Sequence, residues 1–133
     1  MRMIRLASHA FVAFVIFLLT SLTASAQVLP SLSTWENQRT SILNVGLVTG
    51  NHFSGFFTNR APGFQCQNIP YPVENGIILP NGAITFTVNF TACASVTTWK
   101  GQVTGSQMPT KWVLVHNGVQ QRGSDLFRKT SPF

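Results

Sequence analysis

The sequence predicts an all-β protein, an eight-stranded antiparallel up-and-down β-barrel. Apolar and polar residues alternate along most of the chain after residue 26, as expected for strands with one buried face. Turn-forming pairs such as Gly50-Asn51 and Asn117-Gly118 separate the alternating runs. No segment after residue 26 shows a sustained helical period. Eight short strands can close into a barrel that holds one small ligand, although a sandwich of two sheets has the same periodicity.

The first residues have the order of a secretory signal peptide. Arg2 and Arg5 precede an apolar run over 10–19, and a small-x-small sequence occupies 24–26. The alternative is an anchoring helix, but this run of about ten residues is well short of the roughly 20 that span a bilayer. We therefore expect a signal peptide at 1–26, one β-barrel domain at 27–133, and a secreted or periplasmic protein with no membrane association after cleavage.

The first four predicted strands cover 33–37, 41–47, 52–60 and 73–79. In the first strand, Trp35 and Asn37 point to the same side, and Ser41 can rejoin that side after a short break. In the third strand, Phe57 and Asn59 share a face. The inward side therefore combines aromatic rings with a carboxamide and a hydroxyl. Local turn capping is the alternative interpretation of Asn37 and Ser41.

The last four predicted strands cover 83–90, 95–104, 110–116 and 123–129. Their inward faces carry Ile84, Phe86, Val88, Phe90, Ser95, Thr97, Trp99, Trp112, Leu114, Asp125 and Phe127. On the outward side, Val113 and Val115 are next to no charge but Lys111. Together with the outward Val96 and Leu126, these valines suggest a surface that contacts a partner.

Charge and motif content exclude several functional classes. Seven of the nine Lys and Arg residues and all three acidic residues follow residue 26, and the basic residues are scattered, which does not indicate nucleic-acid binding. Cys66 and Cys93 lack the spacing of a metal site, and neither His52 nor His116 has an obvious Ser, Cys or Asp partner in sequence. We expect no enzyme activity, metal or cofactor. In an exported chain the two cysteines are expected to pair, and two free thiols are the alternative.

Six polar residues share inward faces with aromatic residues, namely Asn37, Ser41, Asn59, Ser95, Thr97 and Asp125. A buried polar group without a partner costs roughly 1–3 kcal/mol. Six of them in one small core need either each other or a ligand. Aromatic walls with a few placed polar groups are typical of a small-molecule pocket.

These residues occur in motifs that resemble the avidin and streptavidin family of biotin-binding proteins. The motifs are Trp35-x-Asn37-Gln38 with Ser41, Ser54-Gly55 before Phe57 and Asn59, Ser95-x-Thr97-Thr98-Trp99-x-Gly101, Trp112-Val113-Leu114 and Gly123-x-Asp125-x-Phe127. They follow the family's order across nearly all of the chain after residue 26. The segment NRAPGFQCQNIPYPV contains Cys66, and the second cysteine of the chain is Cys93. This segment and the two cysteines resemble the dimeric avidins of the rhizavidin type. The resemblance implies a disulfide that joins the loop after the third strand to the loop after the fifth.

The resemblance also implies a high-affinity, non-covalent biotin site inside the barrel. It comprises Asn37, Ser41, Phe57, Asn59, Phe90, Ser95, Thr97, Trp99, Trp112, Leu114 and Asp125. Asn37 and Ser41 would donate to the ureido oxygen, and Asn59 and Asp125 would accept from the ureido N–H groups, with Asn37 as a donor to Asp125. Thr97 would touch the ring sulfur. Ser95 and backbone N–H groups of 61–65 would face the valerate carboxylate.

Two departures from the family pattern bear on affinity and assembly. Phe57 stands where the family usually has a tyrosine that donates to the ureido oxygen. The segment 117–123 has no tryptophan, whereas tetrameric members lend one from this region to a neighbouring subunit. We expect a homodimer. Two other functions stay open: a barrel for another small cyclic ligand, as in lipocalins, or a barrel that acts through its surface, such as a protease inhibitor.

Overall fold

The computed structural model describes residues 28–131, which form a closed barrel of eight strands in chain order. The strands are β1 (Thr34–Glu36), β2 (Ile42–Thr49), β3 (His52–Thr58), β4 (Pro70–Ile78), β5 (Ala83–Phe90), β6 (Ser95–Gln102), β7 (Gln107–His116) and β8 (Val119–Lys129). Every neighbouring pair is antiparallel, and β8 returns to pair with β1. The predicted barrel is confirmed and the sandwich is excluded. Within 28–131, no helix is long and apolar enough to cross a membrane. The predicted signal peptide lies outside the described residues.

Because successive strands are antiparallel, four connections lie together at one end of the barrel. These are 37–41, 59–69, 91–94 and 117–118, and we call this end the loop end. A 3-10 turn, Thr91–Cys93, belongs to it. A disulfide between Cys66 and Cys93, with 6.1 Å between their Cα atoms, joins two of its loops. The pairing that the resemblance implied is therefore confirmed, and the described chain has no free cysteine.

The barrel interior is filled mainly by aromatic and branched side chains. The predicted inward face of β5 is buried throughout, and Phe86 is stacked on Trp99 with ring centroids 4.9 Å apart. Trp35 is fully buried, and its indole N–H donates to the hydroxyl of Ser33. Strand alternation therefore produces the core that it predicts.

Four strands are longer than predicted: β2 ends at Thr49 rather than 47, and β4, β7 and β8 each begin earlier. β4 begins at Pro70 rather than 73, and β7 begins at Gln107 rather than 110. Pro109 is tolerated because pairing of β6 with β7 ends at Thr110. β8 begins at 119 because Asn117 and Gly118 both have positive φ and form a two-residue hairpin turn. The first predicted strand, 33–37, shortens to three residues.

Candidate ligand-binding site

A cavity of about 210 Å³ opens inside the barrel toward the loop end. It is lined by Asn37, Arg39, Ser41, Phe57, Asn59, Ala61, Phe64, Thr97, Trp99, Trp112, Leu114 and Asp125. Nine of the eleven residues predicted for the ligand site are among them. The lining residues therefore come from β3, β6, β7 and β8 and from the loops 37–41 and 59–69.

The other two predicted residues, Phe90 and Ser95, lie beside this cavity. Phe90 is 1% exposed and packs edge-on against Phe57 and Phe64, so it supports the wall from behind. Ser95 lines a second cavity of about 300 Å³, whose wall includes 63–65 and His116. Its buried hydroxyl has no hydrogen-bond partner among the described residues. The two cavities share Phe64 and Leu114.

Asn37 both caps a turn and presents a donor to the cavity. Its amide oxygen accepts the backbone N–H groups of Arg39 and Ser41, each at 3.0 Å. Because both partners are donors, the oxygen assignment is forced, and the NH₂ group is left to donate elsewhere. The turn-capping interpretation is thus correct for one end of the amide only.

Ser41 and Asn59, like Asn37, each make one hydrogen bond to the backbone and keep capacity for another. The Ser41 hydroxyl oxygen accepts the backbone N–H of Arg60 at 2.8 Å, which leaves its hydrogen to be donated. The Asn59 amide oxygen accepts the N–H of Ala61 at 2.8 Å and keeps a second lone pair. These side chains are oriented by the backbone and still have hydrogen-bonding capacity for a ligand.

Asp125 is 5% exposed and its carboxylate is held by three side-chain donors. Oδ1 accepts from Gln38 at 2.8 Å and from Arg39, and Oδ2 accepts from the indole N–H of Trp99 at 2.9 Å. Asn37 was expected to donate to Asp125, but the side-chain donors that this carboxylate has among the described residues are Gln38, Arg39 and Trp99. Oδ2 retains capacity for one further donor.

Sequence reasoning missed three side chains of this site, Arg39, Ala61 and Phe64. The sequence analysis counts Arg39 only as one of several scattered basic residues, yet its guanidinium pairs with Asp125 and lies 5.7 Å from the ring centre of Trp112. Its position between Asn37 and Ser41, in a chain with three acidic residues, was the available signal. Ala61 and Phe64 lie in the predicted 61–65 loop, but only backbone groups were expected from it.

Trp112 forms a wall that depends on a glycine of the neighbouring strand. It is registered opposite Gly123, where a Cβ atom would lie 2.2 Å from the indole ring. Only glycine leaves room for this ring. The buried indole N–H of Trp112 has no partner among the described residues.

Phe57 retains the aromatic wall without a hydroxyl. Its ring is 1% exposed and its centroid lies 4.6 Å from that of Trp99 and 6.3 Å from that of Phe127. The ring lines the cavity together with Asn37 and Ser41.

Comparison with known proteins identifies the family. The Avidin family model matches residues 25–127. Afifavidin of Afifella pfennigii is 42% identical over 118 residues, which is 79% of this chain and 73% of that protein. A bradavidin2–biotin complex superposes with a TM-score of 0.72 at 40% identity, over 77% of this chain and all of that chain. Apo shwanavidin superposes with a TM-score of 0.70 at 35% identity, over 77% and 97%. The resemblance that the motifs indicated is confirmed, and the chain belongs to the avidin family.

Proposed function

We propose that this protein binds biotin non-covalently and tightly, one molecule in each barrel, without turnover. The observation that carries the proposal is the spare capacity of the cavity's polar side chains. Asn37 and Ser41 retain donors, and Asn59 and Asp125 retain acceptors. A ureido group offers one carbonyl and two N–H groups, which is the complementary set. The relative whose structure is a biotin complex supports this ligand.

The second cavity suits the acidic end of such a ligand. The unpartnered Ser95 hydroxyl and residues 63–65 lie at its wall. A valerate carboxylate would supply the acceptor that Ser95 lacks. The two cavities together reach the range of about 300–1,000 Å³ that is usual for small-molecule sites.

Titration calorimetry separates biotin from the other two functions. We expect biotin to bind with one site per chain, and lipophilic dyes to give no comparable heat. Dye binding without biotin binding would favour a lipocalin-like function. The absence of heat from both would favour a protein that acts through its surface.

We also propose a homodimer that forms through the outer face of β6 and β7. Val96 and Val115 are registered opposite each other and are 38% and 37% exposed. The expectation that only Lys111 borders the valines is wrong, because Val113 lies opposite Arg122 of β8. Light scattering tests the assembly: a mass of two chains supports the dimer, and a mass of one or four chains contradicts it.

Export by cleavage after residue 26 completes the proposed function. The disulfide supports it, because such bonds persist in oxidising compartments. Amino-terminal sequencing of the exported protein should begin at Gln27. Retention of residues 1–26 would contradict the proposed cleavage.

A further inference from the structure

The β1–β8 contact is the shortest seam of the barrel. Only Trp35 with Lys129 and Glu36 with Arg128 are registered as backbone pairs. Beyond them, β1 has ended while β8 continues toward the loop end. We call this stretch, where 37–39 lie beside 124–126, the open seam.

The side chain of Gln38 bridges the open seam in the manner of a peptide group. Its Oε1 accepts the backbone N–H of Leu126 at 2.9 Å, and its Nε2 lies 3.3 Å from the carbonyl oxygen of Ser124. One side-chain amide therefore meets a donor and an acceptor of β8 that β1 no longer reaches.

The same Nε2 also donates to Oδ1 of Asp125 at 2.8 Å. Asp125 lies between Ser124 and Leu126 and lines the ligand cavity, whereas Gln38 is exposed on the outside. Both residues also line an outer groove of about 620 Å³. Gln38 thus lies between external solvent and the buried carboxylate.

We propose that Gln38 is a positioning residue for the ligand, because its amide closes the open seam and orients Asp125 at once. This inference rests on the proposed biotin site. The two ends of the amide have separate tasks: Oε1 holds the Leu126 N–H, and Nε2 holds the Asp125 carboxylate. Ligand affinity and seam closure are coupled through this side chain.

Two substitutions separate these tasks. Gln38→Leu removes both, so the Leu126 amide loses hydrogen-exchange protection and biotin binds about tenfold more weakly, the usual scale for one charge-assisted hydrogen bond. Gln38→Glu keeps the acceptor for Leu126 but loses the donor to Asp125. It should keep the protection and still weaken biotin binding about tenfold. A purely structural role would move both readouts together.

A double-mutant cycle tests whether Gln38 acts through Asp125. Adding Gln38→Leu to Asp125→Asn should cost much less affinity than adding it to the wild type. Gln107→Leu, at an exposed glutamine of β7 near the opposite end, is the control and should change neither readout. Unchanged biotin affinity in both Gln38 variants, with a wild type that binds biotin, would overturn the inference. A wild type that binds no biotin would overturn the proposed function and the ligand part of this inference with it.

Discussion

The aromatic wall and the polar set of the cavity are held in different ways. By the wall we mean the cluster of Phe57, Phe86, Trp99 and Phe127, of which Phe57 and Trp99 line the cavity. Adjacent rings of this cluster have centroid distances of 4.6–6.3 Å. This packing is complete without a ligand. In the polar set, Asn37, Ser41 and Asn59 each use one hydrogen-bonding position on the backbone and retain another. We infer that the wall mainly determines stability and the polar set mainly determines ligand recognition.

The largest expected effect tests the wall. Phe86 is fully buried and lies outside both cavity linings. Phe86→Ala should lower the free energy of unfolding by about 3–5 kcal/mol, from lost burial and the cavity left behind. Phe56→Ala is the matched control, because this β3 phenylalanine is 52% exposed and should change stability by less than about 0.5 kcal/mol. Denaturant unfolding measures both, and equal losses would contradict the assigned role of the wall.

The next effect concerns the disulfide that anchors the loop 59–69 to the loop 91–94. The Cys66–Cys93 bond closes a separation of 27 residues, which is worth about 3–4 kcal/mol in the chain-entropy model. It also anchors the chain next to Phe64 at the cavity. The double variant Cys66→Ser, Cys93→Ser should lose that stability and bind biotin more weakly, because the loop must then be ordered on binding. A reducing agent should weaken the wild type and leave the double variant unchanged. An unaltered dissociation constant in the double variant would show that the loop needs no anchoring.

A smaller effect adds a polar group to the wall. Phe57→Tyr should tighten biotin binding by up to about 1.5 kcal/mol, because the hydroxyl would join the donors of Asn37 and Ser41. Phe127→Tyr is the control: it buries a hydroxyl outside the cavity lining and should reduce stability without tightening binding. Calorimetry of the two variants decides the matter. Unchanged or weaker binding by Phe57→Tyr would place the ring edge away from the ligand carbonyl.

The smallest effect concerns the ion pair of the polar set. The Arg39 side chain is 40% exposed, whereas that of Asp125 is 3% exposed, so solvent and salt weaken their attraction. Arg39→Gln should cost less than about 1 kcal/mol of stability, and less still in high salt. Arg60→Gln, at an exposed base, is the control. A loss that does not change with salt would mean that the guanidinium acts by packing on Trp112 rather than by charge.

The wall could be predicted from the sequence, and the partners of the polar set could not. Alternation assigns a face to each strand residue, so Phe57, Trp99 and Asp125 were placed inside without knowledge of strand pairing. Hydrogen bonds depend on which strands meet at closure. Gln38 and Arg39 lie 87 and 86 positions from Asp125 along the chain. No local pattern reveals a contact at that separation.

Strand ends were predictable only where the turn chemistry was read fully. Asn117-Gly118 was recognised as a turn, yet its two-residue form implies pairing from His116 with Val119 onward. Pro70 is paired with Thr58, the last residue of β3, and Pro109 lies one residue before the β6–β7 pairing begins at Thr110. The sequence does not reveal where these pairings stop.

The most direct test is calorimetric titration of biotin into the wild type and into Asp125→Ala, with Glu74→Ala, at an exposed acid, as the control. Asp125 is the buried acid of the cavity, held by Gln38 and Arg39 and joined to the wall through Trp99. We expect one biotin per chain for the wild type and for Glu74→Ala, and binding weaker by at least about 1.4 kcal/mol, or tenfold, for Asp125→Ala. Equal dissociation constants in all three proteins, or no biotin binding by the wild type, would contradict the account.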